Sequence, residues 1–274
     1  MGRIIGAGLA GAALLALASC AGTEGQSAST RVLLGLANLP DTLLARPAVE
    51  DAPFGAHRLA LDLYRPDGAA PEGGWPLVVF FYGGAWQTGE RGQYAFAATA
   101  LAEAGFVAAV PDYRKYPAVR FPAFMRDAAA AVATARALAP GHGGDPDRVL
   151  LVGHSAGGHM AALLAYDRRY LVEAGVAPAA IAGVAGLAGP YDFTPQAEDI
   201  RAIFGPPERY PAMRTGRFVA PGGPPILMQL GAEDAVVGRV NIERLSAALV
   251  EAGVCHASAI YPGLDHAGLV AELT

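Results

Sequence analysis

The sequence predicts an α/β fold built on a mostly parallel central sheet with helices on both faces. Three observations carry that prediction. Short apolar, β-branched runs alternate with Ala- and Leu-rich runs of helical length from about residue 54 onward, the pattern of repeated strand–helix–strand units. One unit is compressed into a single stretch, where Val149-Leu150-Leu151-Val152 stops at Gly153-His154-Ser155-Ala156-Gly157 and an Ala/Leu-rich run follows at once. The composition agrees, since 274 residues with 53% hydrophobic and 16% charged side chains are enough for one sizeable core. The 35 glycines and 21 prolines have no period, which excludes a repeat or collagen-like chain and supplies turns. A formal charge of −5 without any Lys/Arg run leaves no electrostatic footprint for nucleic acid, so the expected partner is a small molecule.

The first residues stand outside the fold. A short basic start, Met1 to Arg3, precedes an apolar run over 4–17, shorter than the roughly 20 residues a spanning helix needs. It ends in Leu17-Ala18-Ser19-Cys20, which resembles the lipobox of bacterial lipoproteins. On that reading residues 1–19 are a signal peptide, Cys20 is lipidated, 20–45 is a polar tether and 46–274 is the catalytic domain. The chain would be exported to the cell envelope, touching a membrane only through the anchor at Cys20. Gly6-Ala7-Gly8-Leu9-Ala10-Gly11 matches the dinucleotide fingerprint formally, but no strand precedes it, so no nucleotide cofactor is expected. With Cys20 assigned to the signal, Cys255 is expected to pack as a small buried apolar residue outside any intramolecular disulfide.

Within the domain, 56–64 alternates apolar and polar residues as an antiparallel edge strand does, and Pro66-Asp67-Gly68 turns the chain. Residues 77–82 are apolar throughout, as in a strand covered on both faces, and Gly83-Gly84 ends it. A helix over 94–104, closed by Gly105, leads to a buried strand at 106–110, and a long Ala-rich helix covers 122–139. The strand at 149–152 feeds Ser155 and the helix 156–165. Strands at 181–187, 226–230 and 257–261, with a helix at 241–252, complete the alternation. Residues 191–220, rich in Pro, Arg and aromatics, break the pattern and are expected to form a small cap segment over the site.

The chemistry follows from where these strands end, because open α/β sheets place their sites at the carboxyl edge. Gly-x-Ser-x-Gly on a strand–turn–helix lifts a serine hydroxyl out of the sheet, and glycines two residues to either side let the backbone pass close to itself. The strand at 226–230 runs into Gly231-Ala232-Glu233-Asp234, and that at 257–261 into Pro262-Gly263-Leu264-Asp265-His266. Ser155, Asp234 and His266 therefore reach one edge in the order nucleophile, acid, base. Asp192 is the rival acid; Glu233 and Asp265 neighbour the chosen residues but point the other way on an extended backbone. Gly83-Gly84-Ala85 after a buried strand presents the N–H groups of Gly84 and Ala85 as an oxyanion hole, with Ala156 as its second wall. Tyr82 and Trp86 are expected to line an apolar substrate pocket. His57 and His142 read as structural or solvated, and His154 and His159 as packing or supporting residues. No histidine pair or Cys/His cluster has metal-ligand spacing, so no metal is expected.

Tyr82-Gly83-Gly84-Ala85-Trp86, Pro111-Asp112-Tyr113-Arg114, Gly144-Asp145-Pro146-Asp147-Arg148 and Gly153-His154-Ser155-Ala156-Gly157-Gly158-His159, with Asp234 and His266, together resemble the α/β-hydrolase superfamily. They are most similar to the branch holding carboxylesterases, kynurenine formamidase and isoprenylcysteine methylesterase. Many members carry His-Gly-Gly where this chain has Tyr82-Gly83-Gly84. The resemblance implies an α/β-hydrolase fold and a serine esterase that cleaves small-molecule carboxylic esters through an acyl-enzyme on Ser155, without cofactor. An arylformamidase-like amide hydrolase and a non-catalytic envelope binding or scaffold lipoprotein are the alternatives. Asp112-Tyr113-Arg114 is expected to brace the loops behind the site.

Overall fold

The computed structural model describes residues 47–273. The expected signal peptide, the tether and the lipidation site Cys20 lie outside the described residues. Cys255 is half-buried, short of the full burial expected of it.

Eight strands form one sheet: β1 (Val49–Phe54), β2 (Leu59–Tyr64), β3 (Trp75–Phe81), β4 (Val107–Pro111), β5 (Gly144–His154), β6 (Ile181–Leu187), β7 (Ile226–Gly231) and β8 (His256–Tyr261). Their spatial order is β1-β2-β4-β3-β5-β6-β7-β8. β2 is antiparallel to both β1 and β4, and every other neighbouring pair is parallel. The central strands β3, β4 and β5 carry the apolar runs read from the sequence, and Leu77, Val79, Phe80, Val107 and Leu151 are fully buried. A parallel strand covered on both faces needs this composition.

The sequence reading misplaced the sheet edge. The edge strand is β1, whose Glu50, Asp51 and Pro53 give it little strand propensity. Asp51 has φ of 54° and breaks the register between Val49 and Ala52. A bulged, charged, proline-bearing strand suits an edge, where flat unpaired backbone would template pairing with another chain. β2 is therefore interior, and its Asp62 is buried in spite of its charge. It is tolerated because its carboxylate accepts the Asp51 N–H at 3.0 Å and faces the Arg91 guanidinium at 3.0 Å.

The helices are α1 (Ala95–Glu103), α2 (Ala123–Leu138), α3 (Ala156–Tyr166), α4 (Arg169–Glu173), α5 (Glu198–Phe204), α6 (Val240–Glu251) and α7 (Gly268–Ala271). In α2 Phe124, Met125, Ala128, Ala131, Val132 and Ala135 face the core at helical spacing. Every residue of α3 is buried, which small side chains at Ala156, Gly157 and Gly158 permit by letting the helix lie close to the sheet. The chain leaves β3 through α1 towards β4 on one side, and leaves β5 through α3 towards β6 on the other. Right-handed crossovers then put α1 and α3 on opposite faces, and a crevice opens where β3 and β5 part. The segments after those two strands are Gly83–Gly84–Ala85 and Ser155.

The 191–220 segment holds α5 and two short 3-10 stretches, Pro207–Met213 and Thr215–Phe218. It is fastened to the body by Phe121 N–H on the Ile203 carbonyl (3.0 Å), by His159 Nε2–H on the Met213 carbonyl (2.7 Å) and by the buried Phe204.

Candidate active site

Register brings the strand ends level. Phe81 lies opposite Gly153, Leu187 opposite both His154 and Gln229, and Gly231 opposite Tyr261. The loops after β3, β5, β7 and β8 therefore leave the sheet at one edge. Ser155 sits on the sharpest of them, at φ 53° and ψ −121°, a conformation costly for a non-glycine residue. Its N–H is held by the Leu187 carbonyl at 2.8 Å, and its carbonyl accepts the His159 N–H at 3.1 Å to start α3. The flanking glycines are obligatory here. A Cβ on Gly157 would run into the carbonyl of Phe81, and one on Gly153 into the carbonyl of Gly157.

Ser155, His266 and Asp234 meet at this edge. Ser155 Oγ lies 2.9 Å from His266 Nε2, and His266 Nδ1 lies 2.8 Å from Asp234 Oδ2. A carboxylate only accepts, so Nδ1 carries the proton and Nε2 is left to accept from the serine hydroxyl. The Asp234 side chain is fully buried, and its second oxygen accepts the N–H groups of Val236 and Val237, each at 2.8 Å. Both carboxylate oxygens are thus fixed. The loops are tied together by Glu233 N–H on the Leu264 carbonyl at 3.0 Å. Glu233 and Asp265 are exposed, and Asp265 caps α7 through the Gly268 N–H. The rival acid Asp192 is not brought to His266; it pairs instead with Arg214 and Arg244 on the cap side.

After β3 the chain turns at Gly84 (φ 127°), Ala85 (φ 51°) and Trp86 (φ 59°). The Gly84 carbonyl accepts the N–H groups of Gln87 and Thr88, which folds the loop back on itself. Tyr94 Oη accepts the Gly83 N–H at 3.3 Å, whereas the N–H groups of Gly84, Ala85 and Ala156 form no hydrogen bond among the described residues. The loop passes close over the serine, since a Cβ on Gly83 would stand 3.1 Å from Ser155 Cβ.

A cavity of about 410 Å³ opens above Ser155, lined by Gly84, Ala85, Gln87, Thr88, His154, Ser155, Val236 and His266. Tyr82 and Trp86 are not part of it, which corrects the expected pocket lining. Tyr82 is fully buried behind the loop. Its hydroxyl donates to Asp112 at 2.9 Å and accepts from Lys115 at 2.9 Å, and its ring stacks on Tyr113. Burial raises the Tyr82 hydroxyl far above its usual pKa, so it stays protonated. The two consecutive left-handed residues at 85–86 carry the Trp86 ring away from the cavity into a cluster with Phe193, Phe204, Phe124 and His159. Conversely, Gln87, Thr88 and Val236 line the cavity and escaped the sequence reading. Their only signal was proximity to Gly83-Gly84 and to Asp234. A second cavity of about 660 Å³, lined by residues from Thr194 to Arg214, belongs to the cap segment and shares no residue with the first.

Two histidines flank the serine, both buried. Burial holds each well below the usual imidazole range, at about 4, so both are neutral at pH 7. His154 Nε2–H donates to the His266 carbonyl at 2.9 Å, and His159 Nε2–H to the Met213 carbonyl at 2.7 Å. Asp112 and Arg114 act behind the site, Asp112 on Tyr82 and Arg91, and Arg114 in a bidentate pair with Asp127 of α2. Among the described residues no group of three or more His, Cys, Asp or Glu side chains is arranged to hold a metal ion.

Known proteins are similar to this chain in sequence and fold. The BD-FAE family model matches residues 61–249. Esterase LipQ of Mycobacterium tuberculosis is 30% identical over 268 residues, covering 90% of this chain and 63% of LipQ. A probable isoprenylcysteine alpha-carbonyl methylesterase of Oryza sativa, ICMEL1, is 41% identical over 105 residues, 38% of this chain and 24% of that protein. The chain thus spans less than two thirds of the length of these relatives. Among solved structures, Thermogutta terrifontis esterase 2 phosphonylated by sarin superposes with a TM-score of 0.65 at 25% identity, covering 76% of this chain and 80% of that one. Its butyrate-bound form gives 0.64 at 26% identity, over 76% and 80%. The chain belongs to the BD-FAE family and has the α/β-hydrolase fold.

Proposed function

We propose that the protein is a serine hydrolase that cleaves small carboxylic esters through an acyl-enzyme on Ser155. The observation that carries this reading is the unbroken hydrogen-bonded line from Ser155 Oγ through His266 to the buried Asp234 carboxylate. Ser155 Oγ attacks the ester carbonyl carbon while its proton passes to His266 Nε2. The buried carboxylate of Asp234 stabilises the imidazolium that forms and holds the ring in the tautomer that can accept. Charge developing on the carbonyl oxygen is met by the N–H groups of Gly84, Ala85 and Ala156; one such donor is worth about 2.7–4 kcal/mol in the transition state. His266 returns the proton to the departing alcohol oxygen. It then takes a proton from water, whose oxygen attacks the acyl carbon, and the carboxylic acid leaves as Ser155 recovers its hydrogen.

The cavity favours a compact acyl group. It holds about 410 Å³, and Val236 is its largest apolar side chain. The aromatic rings that would have made a long apolar tunnel pack instead among themselves around Trp86. The butyrate-bound relative and the esterases among the similar proteins support this reading. The test is labelling by a fluorophosphonate probe, with a ladder of p-nitrophenyl esters alongside N-formyl and peptide substrates. We expect labelling that is lost in Ser155→Ala, and kcat/KM that rises over the first acyl carbons and gains nothing beyond about four. A folded wild-type protein that takes no label, or that prefers N-formyl amides, overturns it.

Export and lipidation at Cys20 belong to the same proposal, on the strength of the apolar run over 4–17 and the Leu17-Ala18-Ser19-Cys20 sequence. Mass spectrometry of the N-terminal peptide decides this. A lipid thioether on Cys20 supports it, and Cys20 recovered in a disulfide-linked peptide with Cys255 refutes it.

A further inference from the structure

We infer that His154, the residue before the nucleophile, is a positioning residue for the triad, holding the main chain of His266 at the height from which Nε2 can reach Ser155. The inference rests on the triad reading above and on four observations around one ring. Nε2–H of His154 donates to the His266 carbonyl at 2.9 Å, across 112 positions of sequence, so it fastens the loop after β8 directly to the end of β5. The rings of His154 and His266 lie 4.9 Å apart at 43°, which gives the catalytic imidazole a wall on that side. The other edge of His154 stands against the oxyanion loop, where a Cβ on Gly83 would come within 3.0 Å of Nδ1. Tyr94, whose hydroxyl holds the Gly83 N–H, lies 6.5 Å from the same ring. One buried side chain therefore touches the nucleophile strand, the loop bearing the base and the loop bearing the oxyanion donors.

The tautomer follows from the contacts. A backbone carbonyl only accepts, so the proton of neutral His154 is on Nε2 and Nδ1 faces the loop as an unprotonated edge. Nδ1 is buried with no hydrogen-bond partner among the described residues, and leaving it so costs free energy that an apolar ring of the same shape would avoid. A polar side chain retained under that penalty is explained by what its other nitrogen does. Burial keeps the ring neutral, and His266 and Asp234 are the charged or titratable groups that act on it. Neutrality matters because a second cation 4.9 Å from His266 would oppose the imidazolium that the reaction must form there.

This role is separable from mere packing. His154→Leu fills the space but removes the donor, whereas His154→Gln keeps an N–H at nearly the Nε2 position. We expect His154→Leu to lower kcat on p-nitrophenyl acetate by about 10- to 100-fold, the scale of a small misplacement of reacting groups, with KM changed little. His154→Gln should recover most of that loss. The spectroscopic readout is the far-downfield proton of the His266 Nδ1–H to Asp234 hydrogen bond in the full-length protein, present in the wild type and in His154→Gln and broadened or lost in His154→Leu. It requires no turnover, so it tests the positioning even if the protein proves inactive on esters. A His154→Leu protein with unchanged kcat and an unchanged downfield proton overturns the inference, as does a His154→Gln protein as impaired as His154→Leu in both readouts.

Discussion

Replacing Asp234 by asparagine is the sharpest perturbation of the proposed chemistry, because the structure fixes which way the amide must face. Oδ1 of Asp234 accepts two backbone N–H groups, from Val236 and Val237, and only an oxygen can do so. In Asp234→Asn the carbonyl oxygen is held there and the NH₂ group is turned to His266 Nδ1, 2.8 Å from the present carboxylate oxygen. Two donors cannot face each other, so His266 must shift its proton to Nε2. That nitrogen then offers Ser155 a proton instead of taking one. The change is isosteric and keeps both loop hydrogen bonds, so the fold and melting temperature should be nearly unaffected while kcat falls about 10⁴-fold. In barrier terms that is about 5.5 kcal/mol. The assay is steady-state hydrolysis of p-nitrophenyl butyrate near neutral pH, with fluorophosphonate labelling rates and a thermal melt on the same preparation. A folded Asp234→Asn protein that keeps more than a tenth of wild-type kcat refutes the assignment of Asp234, and with it the tautomer argument.

Trp86 and His159 test the correction to the pocket. Trp86→Ala should cost about 3–5 kcal/mol of folding stability, the range for truncating a large buried aromatic. It should leave KM for p-nitrophenyl acetate within about three-fold, because the ring packs on Phe193 and Phe204 and does not line the cavity; a large KM change with unchanged stability would put the ring back in the pocket. His159 is fully buried, and burial lowers its folded-state pKa to about 4 from the ordinary 6.5. Its neutral form is the one that folds. The stability it permits is complete above pH 6.5 and declines as the pH falls towards 4, because the unfolded chain takes up the proton first. Between pH 7 and pH 5 the loss is about 2 kcal/mol for this one histidine. Urea unfolding at the two pH values should show a smaller loss in His159→Leu than in the wild type, and equal losses would refute the linkage.

The meeting of Ser155, Asp234 and His266 was legible because each follows a strand whose apolar run is unmistakable. Once 149–152, 226–230 and 257–261 are read as parallel strands, topology alone brings Ser155, Asp234 and His266 to one edge, and no side-chain detail is needed. The edge strand β1 was illegible for the opposite reason. The charges and proline that protect an exposed edge erase the alternation by which a strand is recognised. Trp86 shows a third kind of failure. Its place one residue past Gly83-Gly84-Ala85 suggested a pocket wall, but two non-glycine residues at positive φ turn the chain there, and residue identity gives no sign of that conformation.

That last difference bears on what the protein acts on. A tryptophan over Ser155 would have made the cavity an apolar slot, and the preferred substrate would have been a long or aromatic acyl group. With the ring turned into the cluster beneath the cap, the lining left around the serine is backbone at Gly84 and Ala85, the polar side chains of Gln87 and Thr88, and Val236 at the rim, 71% exposed. Backbone and small polar groups give a carbonyl and its first few carbons a place to sit but offer little surface on which a long chain could be buried, and each further methylene left in water gains none of the roughly 0.8 kcal/mol that burial would give. Chain-length selectivity should therefore come from the absence of apolar wall rather than from a steric stop. Rates should flatten beyond about four carbons instead of collapsing, because the extra carbons are not excluded but merely unrewarded. An abrupt cutoff in the p-nitrophenyl ester ladder would mean that a wall exists and that Val236 or the Gln87 side chain, which is held to Asp199 of α5 at 2.9 Å, closes over the acyl group.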